Sequence, residues 1–404
     1  MINLEVPTKA KALVNQARQA AAEVFRPISR KYDRAEHTYP VELDMLASLL
    51  DGLNTSGEGG AGAAGVRRKE DEKNTGNRNG GNLSTVLGTI EMCWGDVALL
   101  LSMPRQGLGN AAIASVADDE QSRRFAGTWA AMAITEPGCG SDSAAITTTA
   151  TPTDDGEGYV LNGEKIFVTS GARADSVVVW ATLDRTQGRA AIKSFVVEKG
   201  TPGFDVVRLE HKLGIRASDT AVLRFDNCRV PKENLLGSPE IDTKSGFAGV
   251  MQTFDNTRPL VAAMGIGVAR AALEETERLL AEAGVEVDYD KPANLQHAAA
   301  ATYLRLEADY EAAYLLTLES AWMADNREPN SLQASMAKAK AGRSVVDITL
   351  ACVELAGTLG YSEETLLEKW SRDSKILDIF EGTQQIQQLI VARRLLGKTS
   401  AELK

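Results

Sequence analysis

Apolar residues recur at helical spacing from Thr8 through KAKALVNQARQAAAEVF, which predicts an amphipathic helix capped by Thr8 and bent or ended at Pro27. A second helix is predicted over VELDMLASLLDGL. Residues 54–82 are rich in Gly, Asn and charge with almost nothing large and apolar, so they read as a mobile loop. LSTVLGTIEMCWGDVALLLSM and the stretch ending DDEQSRRFAG return to the helical period. Near Trp129 the character changes to short β-rich runs (TWAAMAIT, AITTTATPT, GYVLN, EKIFVTS, DSVVVWATL, IKSFVVEKG, FDVVRLE, AVLRFDNCRV) separated by DDGEG, NGE and PGF turn signals. Asn162-Gly163 between two such runs predicts a hairpin with a type I′ turn. After Pro231 the pattern is helical to the end, with a stop at Gly284 and no internal repeat. The fold class is α+β: an N-terminal α-helical domain over 1–128, a central antiparallel β domain over 129–238, and a C-terminal α-helical bundle over 239–404.

At 404 residues the chain is long enough for two or three structural units and a sizeable core. A formal net charge of −11 argues against nucleic acid or an anionic membrane surface as partner. The four cysteines form no CxxC pair and read as buried thiols in a reducing compartment. The three histidines are scattered, so no metal site is expected. No apolar run reaches the roughly 18 residues of a membrane span, and the N-terminus carries no secretory pattern. The expected location is the cytoplasm.

Two stretches carry candidate chemistry in their own right. In TEPGCGSD, Gly138 and Gly140 allow close approach of a flat ligand, while Thr135 and Ser141 offer hydroxyls to its polar edge. The plainer reading is a Gly-Pro turn after a strand. In FEGTQQIQ, Glu381 stands between an apolar run and a helical stretch, where it is either an acid favoured by the helix macrodipole or a base placed for chemistry.

AITEPGCGSDSA, NGEKIFVTSGARAD and IFEGTQQIQQLIVARRLL, supported by KLGIRASDTAVLRFDNCRVPKENLLG and FDNTRPLVAAMGIG, give the chain a resemblance to the acyl-CoA dehydrogenase family over almost its whole length. The resemblance implies FAD as cofactor and an acyl-CoA thioester as substrate, oxidised by removal of an α-proton and a β-hydride. It places Met132, Ile134, Thr135, Gly140 and Ser141 against the flavin ring, with Ser141 also near the thioester. Phe167 stands where the family often has Trp over one flavin face, Val168 follows it, and Thr169 stands beside N5. Thr383 and Gln385 complete the implied cofactor set. Glu381 is the implied catalytic base, its backbone N–H the implied donor to the thioester carbonyl, and Gly382 a substrate contact. Asp255, Thr257 and Arg258 match the family's substrate-contacting helix, kinked at Pro259, and Arg393 matches a residue near the substrate's adenosine end. Some members carry the base at the position of Asn256 or Thr257, neither of which is a carboxylate here. For 255–258 the bland alternative is a surface Asp-Arg pair; for Arg393, a solvated helix arginine.

The pattern departs at three positions. Glu286, in EVDYDKP, occupies the place of an arginine that reaches the neighbouring subunit's FAD pyrophosphate; Glu354 and Ala356, in ELAGT, replace a glutamine and a glycine of a second such contact; Gln388 replaces an arginine. Like charges beside a pyrophosphate repel at short range. The expectation is therefore a hetero-oligomer (a heterotetramer) in which a homologous partner subunit supplies the missing groups, with a homotetramer as the alternative and an electron-transfer flavoprotein as onward acceptor. Competing readings are a flavin-deficient, non-catalytic partner subunit and an acyl-CoA oxidase or flavin oxygenase. Acyl chain length is not legible, although the 54–82 loop falls in a region that helps wall the family's acyl pocket.

Overall fold

The computed structural model describes residues 6–54, 80–104, 108–241, 248–399 and 402, without the side chains of residues 49–54 and 248–256. The low-complexity stretch predicted as a mobile loop therefore lies outside the described residues over 55–79. Its predicted end does not: Gly81 and Asn82 already belong to a helix.

The N-terminal region holds helices α1 (Thr8–Ala20), α2 (Arg26–Arg34), α3 (Glu42–Asn54), α4 (Gly81–Gly95), α5 (Val97–Ser102), α6 (Leu108–Val116) and α7 (Asp119–Arg124). Thr8 is inside α1; Pro7 takes the cap position and its carbonyl receives the Ala10 N–H at 2.8 Å. Pro27 does not end the helix. It lies at the start of α2, where its missing N–H costs little, and a π-helical turn over Ala21–Phe25 carries the chain into it. The start of α4 is capped from a distant helix: the Asp325 carboxylate accepts from the backbone N–H of Gly80, Asn82 and Leu83 at 2.9 to 3.0 Å.

Strands β1 (Ala130–Ala133), β2 (Thr149–Pro152), β3 (Gly158–Thr169), β4 (Ser176–Thr182), β5 (Ile192–Glu198), β6 (Phe204–Leu209) and β7 (Thr220–Pro231) form one sheet. It is largely antiparallel, as expected, but β1 pairs in parallel with β4 and β2 meets β4 in parallel at Thr149 and Thr182. The predicted hairpin at Asn162-Gly163 is absent. Both residues lie inside β3, whose register against β7 shifts between Leu161 and Gly163. A Cβ on Gly163 would come within 2.4 Å of Thr148 Oγ1, and Asn162 Oδ1 accepts the Asn227 N–H at 2.8 Å. The dipeptide marks a bulge and a close approach rather than a turn.

Helices α8 (Ala248–Glu282), α9 (Ala298–Asp325) and α10 (Ser331–Leu355) pack on one another, followed by α11 (Gly357–Tyr361), α12 (Leu367–Leu377) and α13 (Gln384–Leu396), with α12 and α13 against α10. Gly284, two residues past α8, adopts φ +77°, as a helix-terminating glycine does. One buried ionic knot ties the three regions. Lys369 of α12, fully buried, donates to Asp96 at 2.8 Å and to Asp373, and Asp373 accepts the backbone N–H of Ile215 at 2.5 Å.

Cys93, Cys228 and Cys352 are free and buried, and Cys139 is free and half-buried. Two of the three histidines are not scattered in space: His37 Nε2 lies 3.3 Å from His211 Nδ1, which lies 2.9 Å from Glu36 Oε2. Glu36 also accepts the Lys212 N–H at 2.9 Å, so its carboxylate is engaged on both oxygens and joins the α2 end to the segment after β6. Among the described residues, no helix is long and apolar enough to cross a membrane.

Candidate active site

Glu381 and Gly382 turn the chain between α12 and α13 with consecutive φ values of +57° and +91°. Gly382 suits the turn because φ +91° strains any L side chain, and a Cβ there would also displace the Gln387 amide, 2.4 Å away. Glutamate at +57° is costly, and such strain persists only where the surroundings hold it. They do so through Gln387 Nε2, which donates to the carbonyls of Glu381 at 3.1 Å and Gly382 at 3.2 Å, and through Lys338 Nζ, which donates to the Gly382 carbonyl at 2.7 Å. Helix α13 is capped by Thr383, whose hydroxyl accepts the Ile386 N–H at 3.4 Å, and its first turn contains no acid. The macrodipole therefore does not account for Glu381.

Its carboxylate turns instead toward α8. Thr257, 2% exposed, donates its hydroxyl to Glu381 Oε2 at 2.9 Å, and Arg258, also 2% exposed, lies nearby. Burial pushes the Glu381 carboxyl above the ordinary carboxylate range, while the Thr257 hydrogen bond and the charges of Arg258 and Lys338 draw it back. Among the described residues no acceptor meets the Glu381 backbone N–H. Thr257 and Arg258 are buried, so Arg258 is not a surface residue; Asp255, its partner in the Asp-Arg alternative, lies in α8 with its side chain outside the described residues.

The glycine-bearing loop and the following β3 segment are brought together. Thr135 accepts the Ile166 N–H at 2.9 Å, and Lys165 Nζ, fully buried, donates to the Ile134 carbonyl at 2.9 Å and to Glu136 at 2.8 Å. Glu136 also accepts from the N–H and hydroxyl of Thr147 and Thr148 at 2.6 to 2.9 Å; against burial, which raises its pKa, the Lys165 charge and hydrogen bond and then these threonine bonds hold it down to about 2. This pins both ends of the loop. Between them Gly138 has open space where a side chain would stand, and Gly140 and Ser141 are exposed. Beside the loop Phe167 adopts φ +56° at an irregularity in β3 and stands 59% exposed, while Val168 is buried and Met132, Ile134, Thr135 and Thr169 are half-buried. An exposed aromatic ring next to an open glycine loop with free hydroxyls fits a flat aromatic cofactor. Gln385 is exposed on α13; Arg393 is half-buried there, with a buried Nε lacking a hydrogen-bond partner, which is unlike a solvated arginine.

Sequence reasoning missed Glu136, Lys165, Gln387 and Lys338. The last left a signal: Lys338 interrupts a buried stripe of Ala334, Ala337 and Ala341 on α10.

A sheet set between two helical regions, a pinned glycine loop beside an exposed ring, and a shielded carboxylate on a turn before the last long helix define the acyl-CoA dehydrogenase fold class. Patterns described as "Acyl-CoA dehydrogenase, middle domain" and "Acyl-CoA dehydrogenase, C-terminal domain" match residues 131–228 and 244–396. The short-chain specific acyl-CoA dehydrogenase of Clostridium acetobutylicum is 31% identical over 96% of this chain and 98% of its own length. The mitochondrial short-chain specific acyl-CoA dehydrogenase of Mus musculus is 38% identical over 66% of this chain, which spans 62% of that relative's length. Butyryl-CoA dehydrogenase from Megasphaera elsdenii superposes with a TM-score of 0.83 at 28% identity, covering 98% of this chain and all of the other. The chain belongs to the acyl-CoA dehydrogenase family.

Proposed function

We propose that the chain is an FAD-dependent dehydrogenase that converts an acyl-CoA thioester to its α,β-unsaturated form. One observation carries this reading: the Glu381 carboxylate is turned away from the helix it precedes, bound by a buried threonine hydroxyl and made more basic by burial. Glu381 takes the α-proton, the β-hydrogen leaves with its electron pair, and a carbon–carbon double bond forms. The unpartnered Glu381 N–H donates to the thioester carbonyl, where negative charge develops as the α-proton departs. Met132, Ile134, Thr135, Gly140, Ser141, Phe167, Val168, Thr169, Thr383 and Gln385 would hold the flavin, which supplies the two-electron acceptor when bound. Ser141, Asp255, Thr257, Arg258, Gly382 and Arg393 are the proposed substrate contacts. An electron-transfer flavoprotein is the proposed onward acceptor.

The test is Glu381→Gln in the flavin-bound protein, monitored by bleaching of the yellow colour on mixing with a series of acyl-CoA thioesters. General-base removal costs roughly 10²- to 10⁴-fold, and a variant as fast as the parent overturns the assignment.

We further propose a hetero-oligomer. Glu286, Glu354 and Gln388 are all exposed, which leaves them available at a subunit contact. The negative charges of Glu286 and Glu354, together with a neutral Gln388 in place of an arginine, make a self-association of the usual kind a poor holder of a pyrophosphate. Expression alone and with a homologous chain, scoring FAD per subunit, decides it.

A further inference from the structure

Lys338 is a charged group that the proposed reaction leaves without a part. It lies in the first half of α10 with 0% of its surface exposed, on the same face as three buried alanines. A lysine there loses its hydration and must recover it from specific neighbours. Its Nζ reaches the Gly382 carbonyl, but Gln387, a neutral donor, already serves that carbonyl and the one before it. A neutral donor suffices for such a hydrogen bond, so hydrogen bonding alone does not account for a charged group at this position.

The charges around Lys338 show what the cation adds. It faces Asp378 from the end of α12, Glu381 from the turn and Arg258 from α8. Asp378 already has Arg343 at 3.7 Å and Lys375 at 3.4 Å. Glu381 has no ion-pair partner within 4 Å among the described residues, so its negative charge is supported only by Thr257 and by the fields of Arg258 and Lys338.

We propose that Lys338 is a positioning residue for Glu381: its ammonium clamps the Gly382 carbonyl, fixing the left-handed turn, and sets a positive charge behind the carboxylate that keeps it ionised. This rests on the reading of Glu381 as the base. Burial draws the Lys338 ammonium down to about 8, so the charge is present at neutral pH and fades as pH rises through that value.

The test combines three variants in the flavin-bound protein: Lys338→Met, Gln387→Leu and Glu381→Gln. The rate of bleaching by acyl-CoA is followed against pH, and the protonated-carboxyl infrared band that Glu381→Gln removes is titrated in parallel. For Lys338→Met, losing a neighbouring positive charge moves the acid limb and the infrared titration upward by about one pH unit. The rate falls about tenfold below that limb, with KM changed less than about twofold. Gln387→Leu slows the reaction without moving either titration, because it loosens the turn and leaves the charge. If Lys338→Met does not fold, Lys338→Gln removes the same charge with a polar end and carries the same expectation. Titrations that superimpose on the parent's, or that Gln387→Leu moves equally, overturn the proposal. An active Glu381→Gln overturns the base assignment instead, and the infrared titration still reports whether Lys338 governs that carboxyl.

Discussion

Thr257 Oγ1 lies 2.9 Å from Glu381 Oε2, joining α8 to the turn before α13 across 124 residues of sequence. The hydroxyl donates to the charged form of the acid and so favours ionisation against the pull of burial. Hydrogen bonds to charged groups are worth about 1.5–3 kcal/mol. Thr257→Val is therefore expected to slow α-proton removal at neutral pH about tenfold or more and to shift its acid limb upward, while Thr257→Ser keeps the donor and stays near the parent rate. Stopped-flow bleaching against pH checks both.

A second consequence concerns stability. The folded Glu381 carboxyl holds its proton more tightly than the unfolded one, whose reference value is 4.5. Its contribution favours the fold below that reference and is lost as pH rises through the raised folded value. Glu381→Gln removes a charge that desolvation disfavours on a half-buried residue, so the variant should gain melting temperature relative to the parent between acid and neutral pH. Equal melting curves across that window would show that the carboxylate is not held against its will.

Lys369 predicts a different failure. It is buried with two carboxylates, Asp96 and Asp373, and the second also receives a backbone N–H from the β region. Lys369→Met leaves both acids without their cation, and breaking a buried pair costs about 3–5 kcal/mol. Denaturant unfolding should show that loss, and a triple change of all three residues to apolar ones should recover part of it.

The acidic substitutions at the proposed subunit contact give a gain-of-function test. With Glu286→Arg and Glu354→Gln combined, the chain expressed alone should retain more FAD per subunit than the parent, measured by absorbance after gel filtration. No increase would count against like-charge repulsion as the reason for a hetero-oligomer.

Much of this architecture was legible along the chain. The change from helical to strand patterning near Trp129 and back after Pro231 and the stop at Gly284 each depend on neighbours a few residues away, which sequence displays directly. Asn162-Gly163 was misread because a local turn preference competes with pairing to Thr149 and β7, and the cross-strand partners decided for a bulge. Thr8 likewise yielded its cap position to Pro7.

The pattern of residues determined which elements form and which side chains could do chemistry, because periodicity and turn preference act over short stretches. Only the tertiary structure decided that Thr257 and Lys338 attend Glu381, that Lys165 pins the glycine loop through Glu136, and that His37 meets His211. Those relations arise from burial and from hydrogen bonds between residues 29 to 174 positions apart, and no local pattern records a distance in space.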